Sequence, residues 1–240
     1  MSHTSSKHPN DAVIVSAVRT PIGSFGGTLA PLSASDLGAV AVKAAVERAD
    51  IDPATVDEVL MGNVVLAGQG QAPARQAGIK AGIPPTVGAT TVNKICGSGL
   101  KTVMMAAAMI SVGDGDLFVA GGMESMNNGP YLLHRARFGY RLGSDELVDA
   151  MVHDGLWCSF EDQHMGNSAE WIAREYNLTR EELDAYAYNS HMKAIKAIDE
   201  GHFEDEIVPV KVPQRRGEPL TFDTDECPRR DTSMDALARL

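Results

Sequence analysis

Cys96 stands in the run Thr91-Val92-Asn93-Lys94-Ile95-Cys96-Gly97-Ser98-Gly99-Leu100, where an apolar, β-branched stretch breaks at two glycines and resumes as a nearly uncharged helical pattern. A strand turning sharply into a helix at that point places the thiol beside the helix N-terminus. Unpaired N–H groups and positive potential there favour a thiolate. The same N–H groups can stabilise the oxyanion formed when sulfur attacks a thioester carbonyl. Gly97 and Gly99 let an acyl group and neighbouring backbone approach closely. A lone cysteine is more often a small buried packing residue, but the strand-turn-helix setting and the flanking glycines favour the nucleophile here.

Other candidate residues carry weaker signals. His164 lies near Asp162 and Cys158 but without the ligand spacing of a metal site, so no metal is expected. Glu124, in Gly121-Gly122-Met123-Glu124-Ser125, is either a base or a structural carboxylate holding backbone at the domain junction, and the second reading is favoured. Arg229 alone reads as solvated. Cys96, Cys158 and Cys227, three cysteines in all, are too few and too scattered for a disulfide framework and lack the paired spacing of a zinc site. Gly68-Gln69-Gly70 is followed by Pro73 where a dinucleotide fingerprint needs its third glycine, and no phosphate-loop GK[ST] occurs. Nicotinamide and ATP are therefore unsupported.

The elements that must position Cys96 follow from the apolar patterning. Residues 12–18 (AVIVSAV) predict a first strand buried on both faces, ending at the turn Arg19-Thr20-Pro21-Ile22-Gly23. Residues 35–49 repeat at helical spacing, with Ser33 or Ser35 as cap. Residues 56–65 and 89–93 predict strands, with a helix over 71–81 ended by Gly82. Residues 100–112 carry Lys101 as their only charge, which predicts a helix buried rather than amphipathic, with Cys96 at its first turn. A strand at 117–120 closes on Gly121-Gly122. Apolar strands alternating with helices predict an α/β fold, a mostly parallel sheet covered by helices on both faces. This architecture takes residues 11–122, after a disordered tail at 1–10. An irregular α+β loop domain takes residues 123–240, including a charged helical pattern at 177–200.

A net charge of −11, from 21 basic and 32 acidic residues, disfavours a nucleic-acid surface. No uninterrupted apolar run approaches the ~18 residues of a membrane span, so a soluble protein without membrane partners is expected. The first ten residues lack the apolar core of a secretory signal, and a reducing, cytoplasmic setting is the default expectation.

At this point the chain resembles the thiolase family. The carrying segments are VNKICGSGLK, VAGGMESM, Arg19-Thr20-Pro21-Ile22-Gly23, Gly68-Gln69-Gly70-Gln71 with Ala74-Arg75-Gln76-Ala77, and Asp205-Glu206-Ile207-Val208-Pro209-Val210. They occur in order, and residues 11–240 can be read in that register. The resemblance implies a layered thiolase-like fold and an acetyl-CoA C-acetyltransferase activity in which Cys96 accepts an acetyl group and its own N–H contributes to the oxyanion hole. His164-Met165-Gly166 resembles the stretch that, in short-chain acetoacetyl-CoA thiolases, lines the pocket around the acyl group and pantetheine. Acetyl-CoA and acetoacetyl-CoA are thus the implied substrates, with no tightly bound cofactor. Arg229 matches a family arginine at the nucleotide end of coenzyme A, and Leu156, Leu237 and Leu240 match apolar positions around the same molecule. A homo-oligomer, dimer or tetramer, is also implied.

The chain departs from the family pattern after Cys96. No later segment matches the family's activating histidine, its second cysteine or its late asparagine, and neither Cys158 nor Cys227 fits the second role. The last strand of the first sheet and the second thiolase half have no counterpart among the 240 residues. A truncated or split enzyme with little turnover by itself is expected. The alternative is a non-catalytic fragment or subunit that binds coenzyme A or a complementary chain.

Overall fold

The computed structural model describes residues 11–240, and the tail expected at 1–10 lies outside the described residues. The chain divides into two compact units. Of the described residues, one contains Ala30–Gly129 together with 11–20; the other contains Pro21–Leu29 and Pro130–Leu240. The division expected at 122/123 thus falls a few residues before the observed one, and the loop 21–29 belongs with the later residues.

In the first unit, α1 (Ala34–Arg48), β1 (Glu58–Gly62), α2 (Pro73–Lys80), β2 (Gly88–Val92), α3 (Ser98–Val112) and β3 (Phe118–Gly122) follow in order. The strands form one parallel sheet in the order β2-β1-β3, with Glu58 level with Gly88 on one side and Phe118 on the other. β1 is therefore central, and Val59, Leu60 and Met61 are each at most 2% exposed. Burial of such a side chain is worth about 1.5–3 kcal/mol. Val59 and Met61 join Val42 and Val46 of α1 and Ala74 and Ala77 of α2 in the main core cluster. Right-handed crossovers in this strand order place α2 and α3 on opposite faces of the sheet.

α1 starts where a capping box can form: Ser33 Oγ accepts from Asp36 N–H at 3.2 Å, and the Asp36 carboxylate accepts from Ser33 N–H at 3.0 Å. A cap of this type contributes about 1 kcal/mol.

Three expectations need correction. Residues 12–18 belong to no strand, and Val13, Ile14 and Val15 are 64–78% exposed. β-Branched apolar residues favour a strand, but a strand also needs a ladder partner, and among the described residues the sheet of this unit holds only β1, β2 and β3. α3 is not buried all round. Only Ser98, Thr102 and Ala106 are buried, a stripe at i, i+4, i+8 against the sheet, while Leu100, Met104 and Val112 are 69%, 55% and 80% exposed. A single sheet can cover one face of a helix and no more. Finally, Ile95–Val112 is long and apolar enough to cross a membrane by length and composition, contrary to the expectation from uninterrupted runs. Its helical part, 15 residues, is about 22 Å long against a hydrocarbon core of about 30 Å, and it packs on a sheet through its buried stripe.

In the second unit, α4 (Met165–Glu175) and α5 (Arg180–Asp199) accompany three short antiparallel ribbons: β4 (Tyr131–Leu132) with β5 (Val148–Asp149), β6 (Trp157–Cys158) with β7 (Gln163–His164), and β8 (Val210–Val212) with β9 (Leu220–Phe222). A short helix, α6 (Met234–Leu237), follows. The expected charged helix is α5, started by a capping box between Thr179 and Glu182.

The loop 21–29 joins this unit through two adjacent carboxylates. Glu226 accepts from Thr28 Oγ1 at 2.6 Å and from Ser24 N–H at 2.8 Å, and Asp225 accepts from Ile22 N–H at 2.8 Å. The Thr28 hydroxyl first, then the Ser24 N–H, hold the Glu226 carboxyl below its ordinary value of 4.5. A lowered folded-state value means that this contribution is present above the ordinary range and is lost as the pH falls through the lowered value. Glu226→Gln should therefore flatten the loss of stability between about pH 5 and pH 3, measured by urea unfolding across that range. An unchanged acid limb would remove Glu226 from the account.

Candidate active site

The site around Cys96 is built at the C-terminal edge of the parallel sheet, where β2 runs into α3. Ligands of open α/β sheets bind at this edge. Val92 ends the strand, residues 93–97 turn, and Gly97 is the N-cap of α3. Cys96 thus lies one residue before the cap rather than in the helix's first turn, and it is exposed. Lys94 and Cys96 pair as an isolated parallel bridge across the turn.

The turn is held from several directions. Ile95 adopts φ +48°, a left-handed conformation that a β-branched residue rarely takes. Its N–H donates to Asn93 Oδ1 at 3.0 Å, and its carbonyl accepts from Ser98 Oγ at 2.6 Å and from Ser98 N–H at 3.0 Å. Ser98 Oγ also accepts from Lys94 N–H at 2.8 Å, and Gly97 N–H donates to Lys94 O at 3.1 Å. Asn93 Nδ2 reaches Val64 O at 3.3 Å, which braces the turn against the chain leaving β1.

Glu124 fastens that same segment. Its carboxylate accepts from Val64 N–H at 2.8 Å, Val65 N–H at 3.3 Å and Asn63 Nδ2 at 2.7 Å. Burial pushes its carboxyl above the usual range, opposed by the hydrogen bonds from Val64, Val65 and Asn63, which favour the charged form. With its oxygens engaged in this way, Glu124 acts as a structural carboxylate under the elbow.

Glycines let α3 start this close to the sheet. A Cβ at Gly62 would lie 2.6 Å from Ser98 C and 2.7 Å from Gly99 N, and one at Gly122 would lie 3.2 Å from Gly99 Cα. Thr102 Oγ1, fully buried, lies 2.7 Å from Gly99 O and 2.9 Å from Gly121 O and ties the helix to β3.

The remaining candidates lie in the second unit. His164 is the N-cap of α4, where its Nδ1 accepts from Gly166 N–H at 2.9 Å, so any proton on the neutral ring is on Nε2. Met165 is exposed, and Leu156 is half-buried at the end of a π-helical turn. Arg229 is exposed, its N–H donating to His191 Nδ1 at 3.1 Å and its guanidinium 3.6 Å from Asp231. Leu237 is half-buried in α6, and Leu240 is 89% exposed.

α5 organises the segment holding Arg229 and Leu237. Arg180 bonds both Asp184 and the Leu237 carbonyl, His191 accepts from Arg229, and Asp199 takes both guanidinium ends of Arg230 at 2.6 and 3.0 Å. The anchors are spaced along one helix, which the sequence pattern marked only as charged. Ser98, Asn93 and Ile95 were likewise missed as parts of the site. A serine at the first helical position, two residues after the cysteine, was the available signal.

A parallel sheet with helices packed on it and an exposed cysteine at a strained strand-to-helix elbow defines an open α/β protein. Residues 12–240 match the family described as thiolase, N-terminal domain. The chain belongs to the thiolase family. It is 54% identical over 230 residues to an acetyl-CoA acetyltransferase of Pseudomonas aeruginosa, covering 96% of this chain and 58% of that one. It is 52% identical over 230 residues to an acetyl-CoA acetyltransferase of Cupriavidus necator, with the same coverage. The crystal structure of the Bacillus anthracis acetyl-CoA acetyltransferase superposes with a TM-score of 0.91 at 39% identity, over 94% of this chain and 57% of that one. The chain thus spans somewhat more than half the length of the relatives it matches. The expected family and fold class are borne out.

Proposed function

We propose that the chain is the acyl-accepting part of an acetyl-CoA C-acetyltransferase. The observation that carries this reading is the exposed Cys96 at the elbow before α3, in a chain similar throughout to acetyl-CoA acetyltransferases. Cys96 Sγ attacks the acetyl carbonyl of acetyl-CoA, the carbon-sulfur bond to coenzyme A breaks, and the departing thiolate takes up a proton. A base then takes the α-proton of a second acetyl-CoA, the resulting carbanion attacks the acetyl carbonyl on Cys96, and Cys96 leaves as the thiolate, giving acetoacetyl-CoA. Thiolysis is the reverse. The N–H of Cys96, just before the start of α3, donates to the oxyanion in this reading.

In this reading the second unit binds the coenzyme A part. His164 and Met165 line the acyl and pantetheine end, Leu156, Leu237 and Leu240 supply apolar contacts, and Arg229 meets the nucleotide end. No tightly bound cofactor takes part.

Full turnover also requires a base for the α-carbon proton, and among the described residues none is hydrogen-bonded to Cys96. The exposed Leu100, Met104 and Val112 favour a second reading for the isolated chain, as a subunit that needs a covering polypeptide before it turns over. Mixing the purified chain with acetyl-CoA should release coenzyme A in an amount stoichiometric with protein and then stop. Supplying the remaining C-terminal portion of a relative should convert this into thiolysis of acetoacetyl-CoA. Sustained turnover by the chain alone would contradict the need for a partner, and no release at all would contradict the acyl-accepting role.

A further inference from the structure

We propose that Ser98 is the positioning residue of the elbow: its single buried hydroxyl holds Ile95 in the left-handed conformation and thereby aims Cys96. This rests on the reading of Cys96 as nucleophile. Ser98 is 4% exposed, and its Oγ closes a loop of five residues by accepting from Lys94 N–H at 2.8 Å and donating to Ile95 O at 2.6 Å. It uses both kinds of hydrogen bond at once, on the two residues immediately before Cys96. Ile95 at φ +48° has no intrinsic preference for that state and must be over-determined by its surroundings. Asn93 holds its N–H from one side, and Ser98 holds its carbonyl from the other. Relaxation of Ile95 to negative φ would rotate the following peptide plane, moving both the Cys96 sulfur and its N–H away from the start of α3.

The hydroxyl has little room for an alternative. A Cβ on Gly62 would come within 2.7 Å of Ser98 Cβ, so the side chain is wedged between the turn and β1. An ordinary serine in a first helical turn points to solvent or caps its own helix. This one points back over the preceding turn instead.

The test reads alkylation by iodoacetamide on the full chain, resolved by mass spectrometry and expressed as the rate at Cys96 divided by the rate at Cys227. The ratio needs no acetyl-CoA, so it can fail independently of the acyl-transfer reading. Ser98→Ala should lower it about five- to tenfold, as the thiol loses its place over the helix start. Ile95→Gly in the same background should restore most of it, because glycine accepts positive φ without the hydroxyl's help. Should Ser98→Ala not fold, Ser98→Cys, of similar volume and weaker hydrogen bonding, takes its place with the same reading. An unchanged ratio, or a fallen ratio that Ile95→Gly does not restore, would overturn the proposal.

Discussion

Replacing Cys96 by alanine is expected to cut the rate of coenzyme A release from acetyl-CoA by roughly 10³-fold or more, because Cys96 is the thiol at the elbow on which the covalent intermediate forms. The side chain is exposed and makes no side-chain hydrogen bond among the described residues, so stability should change by no more than about 0.5 kcal/mol. That separation of effects is informative: a packing cysteine would lose stability on truncation and leave the chemistry alone. Cys227→Ala is the control. Its sulfur lies 3.7 Å from Ser24 Oγ and 3.8 Å from Gly23 O, in the loop clamp of the second unit, and release should remain at the level of the unaltered chain.

Gly62→Ala is expected to destabilise the first unit by about 3 kcal/mol, at the upper end of the usual overpacking range. The added carbon would meet the backbone of Ser98 and Gly99 at 2.6 and 2.7 Å, and backbone cannot swing aside as a flexible side chain does. Relief requires lifting the start of α3 from β1, which would also disturb the Ser98 bonds to Lys94 and Ile95. The variant should therefore lose Cys96 reactivity even at temperatures where it remains folded. Gly78→Ala supplies the comparison. Its nearest neighbour would be at 3.5 Å, an ordinary contact, and a helical alanine should be neutral or stabilising by up to about 1 kcal/mol. Thermal or urea unfolding of the two variants decides the matter, and a Gly62→Ala chain as stable as the unaltered one would show that the glycine contact is slack.

Much of the fold was legible because local signals agreed with one another. The Ser33 cap, the apolar runs at β1, β2 and β3, and Gly82 after α2 each mark an element that is present. What failed was inference about partners. Residues 12–18 have strand-forming side chains, but composition does not say which strand they pair with. The all-round apolar character of α3 states what that helix can bury, and one sheet buries only Ser98, Thr102 and Ala106. The site divides in the same way. Cys96 and its glycines were visible because strand, turn and helix leave distinct marks. The bracing of Ile95 by Asn93 and Ser98, and of Val64 by Glu124, depends on hydrogen bonds between residues whose types are common in any turn. Glu226 was silent for a related reason, since its partners Ser24 and Thr28 lie about 200 positions away.

The central claim is that Cys96, and no other residue of this chain, accepts the acyl group. Incubating the purified chain with isotopically labelled acetyl-CoA, quenching in acid and mapping the label by peptide mass spectrometry tests it most directly. The expected result is a single hydroxylamine-labile acetyl thioester on Cys96, removed when coenzyme A is added back. Label on Cys158, Cys227 or a lysine in its place, or a folded chain that stays unlabelled, would contradict it.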